Sequence, residues 1–166
     1  MDIAITWDPV SGQGDWSIVG GDLALADSLA SAVMVSLFTD RVVQDQPSAQ
    51  DGAVGISAPA GPFGSASADR RGWWGDAFSG VPIGSRLWQL RRAVKSGESA
   101  IPAEVEAIVS ESLQWLIDDG LAGAVSVDAW WSRLNRQMVE FSISIIEPGS
   151  PAPRVFQYSW SWKELT

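Results

Sequence analysis

Three arginines and three tryptophans crowd one stretch of the chain: Arg70, Arg71, Trp73, Trp74, Arg86 and Trp88, with Asp76 the one acid among them. A guanidinium offers a planar fork of donors that fits a carboxylate, and an indole offers a large rigid face with a donor at its edge. These residue types anchor protein interfaces. They do not move protons at neutral pH, and the 166 residues contain no His and no Cys. The commonest general acid–base and metal ligand, the thiolate nucleophile and any disulfide framework are therefore unavailable. No cofactor or metal is expected.

The surroundings sharpen the contrast. Residues 70–95 carry six basic side chains and one acid, whereas residues 1–69 carry nine acids against one arginine. Residues 96–147 are again acidic, and the whole chain has a formal charge of −9. An acidic chain lacks the broad positive footprint that nucleic acid requires. No apolar run reaches the roughly 20 residues of a membrane span, and no basic leader precedes the first strand-like pattern. Neither nucleic acid nor membrane is therefore an expected partner.

Other residues could be read as chemistry, and each reading is weak. Asp118 and Asp119 are adjacent near a helix end, where side chains diverge into solvent. Asp8 and Asp15 flank a glycine turn but lack the spacing and closing Glu of a calcium loop. The Gly-rich stretches at 20–22 and 61–64 have no Gly-Lys-Ser/Thr, so they are not phosphate loops. Without His the ordinary serine triad is impossible. Ser85 and Lys95 lie ten residues apart and fall on different helical turns. The indoles are the stronger signal: Trp73 with Trp74, or Trp160 with Trp162, could form a stacking platform for sugar.

These residues need a scaffold. Ile3, Ile5 and Trp7 alternate with polar neighbours, the pattern of a half-buried strand, and a second extended segment over 15–27 breaks at Gly20-Gly21. Leu29, Ala30, Val33, Met34 and Leu37 recur at helical spacing over 28–38. Residues 43–68 are rich in Ala, Gly, Ser and Pro without period and predict a long surface loop whose partial deletion over 47–66 is tolerated. A helix over 85–95, with Ser85 as its cap, and a longer one over 99–119, with Pro102 in its first turn and Gly120 as its stop, follow. Three alternating strands end the chain, the last carrying Phe156, Tyr158, Trp160 and Trp162 on one face. The order predicts a single α+β domain over 1–166: an antiparallel sheet of about five strands with about three helices packed on one face.

Several of these segments together resemble a known family. Ser36-Leu37-Phe38-Thr39-Asp40-Arg41, Asp69-Arg70-Arg71-Gly72-Trp73-Trp74-Gly75-Asp76, Gly84-Ser85-Arg86-Leu87-Trp88 and Leu116-Ile117-Asp118-Asp119-Gly120 are similar to motifs of the Mu-type phage baseplate GP46 family. The opening Ile3–Asp8 and Asp15-Trp16 share the likeness, which spans nearly the whole chain; the stretch 43–68 is longer than the family pattern. The resemblance implies a non-enzymatic part of a contractile tail baseplate, similar to the small wedge protein at the sheath base of T-even phages. It implies six copies per baseplate, assembled in the host cytoplasm. The implied neighbours are the larger wedge protein and the tail sheath subunit, with hub or tube-end proteins as further candidates.

Within that frame, Arg70, Arg71, Trp73, Trp74, Asp76, Arg86 and Trp88 either bind a partner or lock the loop internally, with Asp76 holding an arginine. A sugar-binding module requires aligned, exposed indoles. A glycan-cleaving enzyme requires two carboxylates in a cleft, about 5–9.5 Å apart.

Overall fold

Alternation and turn chemistry build the C-terminal half. The computed structural model describes residues 2–8, 13–26, 28–44, 46–53, 56, 70–78, 80–93, 99–135 and 137–161. Strands β7 (Ala124–Trp131), β8 (Met138–Ile146) and β9 (Arg154–Ser161) form an antiparallel sheet in the order β7-β8-β9. Its register sets Ala129 beside Phe141 and Phe141 beside Tyr158. Val139, Phe141, Ile143 and Ile145 point inward from β8 and are buried, while the intervening Glu140, Ser142 and Ser144 face outward. The turn between β7 and β8 closes at Asn135, whose side chain accepts the Gln137 amide at 2.9 Å.

Helix α4 (Ala100–Asp118) lies against this inner face, and α1 (Ser28–Phe38) packs beside α4. Ile101, Val105, Ile108, Val109, Leu113 and Leu116 repeat every three or four residues along α4 and join Val33, Leu37, Leu87 and Leu90 in one core. Gly120, at φ +71°, ends α4, and the Leu121 amide bonds back to the Leu116 carbonyl at 2.8 Å. The short α3 (Leu87–Ala93) begins where Ser85 Oγ accepts the Leu87 amide. Phe156 and Tyr158 of β9 pack on the core, with Tyr158 edge-on to Phe38 at 5.5 Å. Trp162 lies outside the described residues, as does the side chain of Trp160.

The α+β class and the one-sided helix layer are as expected; the sheet is divided differently. Instead of one five-stranded sheet, the described residues form the three-stranded sheet and a separate N-terminal arm of three two-stranded ladders. In the arm, β1 (Asp2–Ile3) pairs with β6 (Leu25–Ala26), β2 (Ile5–Asp8) with β3 (Gln13–Trp16), and β4 (Ile18–Val19) with β5 (Asp22–Leu23). The ladders meet at Ala4, Ser17 and Ala24, where Ala4 N–H bonds to the Ala24 carbonyl and Ala24 N–H to the Ser17 carbonyl, both at 2.8 Å. Ile3 and Ile5, expected to be half-buried, are exposed. Alternation marks a face as apolar; it does not supply a covering layer.

The stretch 43–68 also departs from a structureless loop. Val43 is buried and its amide bonds the Arg70 carbonyl at 2.9 Å. Ala49–Ala53 forms a helical turn, α2, in which Asp51 is buried, and Ile56 belongs to the core. Residues 57–69 lie outside the described residues.

Candidate functional site

The segments that drew attention in the sequence converge in space. The chain leaving α1 meets the chain entering α3 in a short parallel bridge, Asp40 against Ser85. Arg41 N–H bonds the Ser85 carbonyl at 3.0 Å, and Ser85 N–H bonds the Thr39 carbonyl at 2.9 Å. Ser85 Oγ donates to the Leu37 carbonyl as well as capping α3. Gly84 is required here: its φ is +94°, and a side chain would collide with the Thr39 carbonyl. Trp88 sits beneath the bridge, buried, and its indole N–H donates to the Arg41 carbonyl at 2.9 Å.

Arg71 fixes the neighbouring loop. Its guanidinium bonds Asp40 at 2.7 Å and lies 4.4 Å over the Trp88 ring. Its φ of +47° is uncommon for a residue with a side chain, and these two contacts hold it there. Gly72 follows at φ +91°, close against Val42. Asp76 then ties the loop to itself, accepting the Trp73 amide at 3.3 Å and the Ile83 amide at 3.1 Å.

Arg86 is the centre of a buried charge cluster. It bonds Glu111 on α4 at 2.8 Å and Asp51 on α2, and Arg41 adds a contact to Glu111 at 3.5 Å. Burial acts to raise the Asp51 pKa, but hydrogen bonds from Arg86 and Ser48 outweigh it and hold the carboxyl below its ordinary value. Nearby Glu104 moves the other way. Burial raises its pKa first, and the negative charge of Asp51 raises it further.

The sequence-selected residues thus divide. Arg71, Asp76, Arg86 and Trp88 make internal contacts that shape the loop, and Arg70 contributes its carbonyl to Val43. Trp74 points outward on a 3-10 turn (Trp74–Phe78), with Trp74 77% and Phe78 86% exposed, and Trp73, just before the turn, is half-exposed with its ring over Gly75. Phe78 was not singled out in the sequence, although it lies within the same tryptophan loop. Asp40 was legible only as part of a motif, and Asp51 gave no signal, because its partner is 35 residues away.

The outward rings do not form a flat platform. The Trp73 and Trp74 planes meet at 50° with centroids 5.4 Å apart, and Phe78 stands edge-on to Trp74. They form a ridge suited to a shaped protein pocket more than to the face of a sugar. A separate groove of about 600 Å³ lies between the arm, α1 and the sheet, with Glu140 the one acid among its described lining residues. Hydrogen bonds from Ser132 and Trp130 hold that carboxyl below its ordinary pKa, so it is ionised at neutral pH.

Comparison with known proteins identifies relatives of this chain. Residues 29–151 match the family described as Phage protein GP46. The chain is 36% identical over 164 residues to "Baseplate protein gp46" of Escherichia phage Mu, covering 96% of this chain and 97% of that one. It is 34% identical over 161 residues to "Mu-like prophage FluMu protein gp46" of Haemophilus influenzae, covering 96% and 98%. The matched region contains the bridge, the locked loop and the charge cluster, and on these findings the chain belongs to the GP46 family of phage proteins.

Proposed function

We propose that this chain is a structural, non-catalytic subunit of a contractile phage tail baseplate, a wedge component that links the larger wedge protein to the base of the sheath. The observation that carries this reading is the aromatic ridge of Trp73, Trp74 and Phe78. It is exposed, yet it stands on a loop held by the Arg71–Asp40 pair and the Asp76 hydrogen bonds. Apolar side chains presented on a preformed support bind with little ordering cost, which is what a permanent joint requires. The Mu relative, named a baseplate protein, supports the location in the virion tail. Six copies, contact with the sheath subunit and with hub or tube-end proteins, and assembly in the host cytoplasm belong to the same proposal. The absence of His and Cys from the sequence fits a chain that builds and does not turn over.

The test separates folding from assembly. Trp74→Ala and Phe78→Ala are expected to leave stability within about 0.5 kcal/mol, as exposed substitutions do. Each is expected to lower the yield of complete tails in a complementation assay about tenfold, the effect of losing one interface anchor. Normal yield from the double variant would contradict the proposal.

A further inference from the structure

The ridge is not the chain's sole exposed apolar surface. Ile3, Ile5, Trp16, Ile18, Val19 and Leu25 of the N-terminal arm are all between 40% and 68% exposed. The ladder registers set Ile3 beside Leu25 and Ile5 beside Trp16, so each pair shares a face. Two-stranded ladders are marginal by themselves in water. The arm meets the body where Ser31 Oγ donates to the Ile3 carbonyl at 3.3 Å and where Ile5 and Thr6 line the groove beside α1 and the sheet. A partner that covers these faces adds the apolar burial that two-stranded ladders lack.

Charge identifies the partner. Residues 1–40 contain six Asp and no Lys or Arg. Asp15 and Asp22 are exposed, each accepting the amide of the next residue; the register sets Asp22 beside the exposed Val19, and Asp15 beside Thr6 on the face opposite Ile5 and Trp16. A second copy is a poor match. Its net charge is −9, and four of its eleven cations, Arg41, Arg71, Arg86 and Arg154, are already ion-paired within the chain. We propose that the N-terminal arm is a second docking surface, one that receives a basic, apolar surface of an unlike baseplate protein. The inference rests on the baseplate reading but not on the ridge, which lies in a separate segment.

Hydroxyl-radical footprinting of the free chain and of assembled tails tests it, read by mass spectrometry at Trp16, Ile18, Val19 and Leu25. Oxidation of these residues is expected to fall severalfold in the particle. In parallel, the Asp15→Lys/Asp22→Lys double variant is expected to fold normally but to enter tails about tenfold less, since like charge across an interface repels. Unchanged oxidation in particles that contain the chain overturns the inference and leaves the baseplate reading standing. A particle without the chain overturns both. Protection that grows with the concentration of the free chain assigns the surface to a second copy and overturns the unlike partner. Normal entry of the charge-reversed variant overturns its basic character.

Discussion

At the scale of residues, one set of side chains maintains the loop and another is free to meet a neighbour. Arg86 belongs to the first set. Its removal leaves Asp51 buried without its cation, so Arg86→Ala is expected to cost about 3–5 kcal/mol in a denaturant titration. Trp88→Ala removes a buried indole and its hydrogen bond to Arg41, at an expected cost of about 3–5 kcal/mol, whereas Trp74→Ala is close to neutral. The carboxylates of the cluster give opposite pH signatures. Asp51 titrates below its unfolded value, so its contribution is present above the ordinary carboxylate range and is lost as pH falls through its depressed pKa. Glu104 titrates above its unfolded value, so its contribution is present at low pH and is lost as pH rises through its raised pKa. Glu104→Gln is therefore expected to flatten the decline in stability on the higher-pH side. Denaturant midpoints measured from about pH 4 to about pH 8 check this, and an unchanged profile would show that Glu104 does not titrate there.

At the scale of elements, legibility followed the range of the interactions. Strands β7, β8 and β9 and helix α4 were readable nearly to the residue, because alternation, helical period, Asn135 and Gly120 act locally. Segment α2 was not. Asp51 and Ile56 stand in an Ala, Gly and Ser background without period, and their burial comes from Arg86 and the core, far away in sequence. The expected tolerance to deletion therefore shrinks: removing 48–56 should unfold the chain or cost most of its stability. Ile56→Ala alone is expected to cost about 2–5 kcal/mol in thermal or denaturant unfolding. The arm shows the opposite failure. Its pattern was read correctly as extended, but coverage of the apolar face depends on what else packs there, and within this chain nothing described covers it fully.

At the scale of the whole molecule, the sheet with α1, α3 and α4 forms one core, while among the described residues the ridge and the arm leave apolar side chains exposed outside it. Three of the motifs that pointed to the family, over 36–41, 70–76 and 84–88, form one spatial unit, the bridge of Asp40 and Ser85 with the loop that Arg71 and Asp76 hold. Whether the Trp and Arg residues faced inward or outward was not legible, because the same residue types anchor both kinds of contact. The most direct measurement is an electron cryomicroscopy reconstruction of the assembled tail in which this chain is traced. A joint built on the ridge requires Trp73, Trp74 and Phe78 to be buried against an unlike protein. A reconstruction in which those three rings face solvent would contradict it.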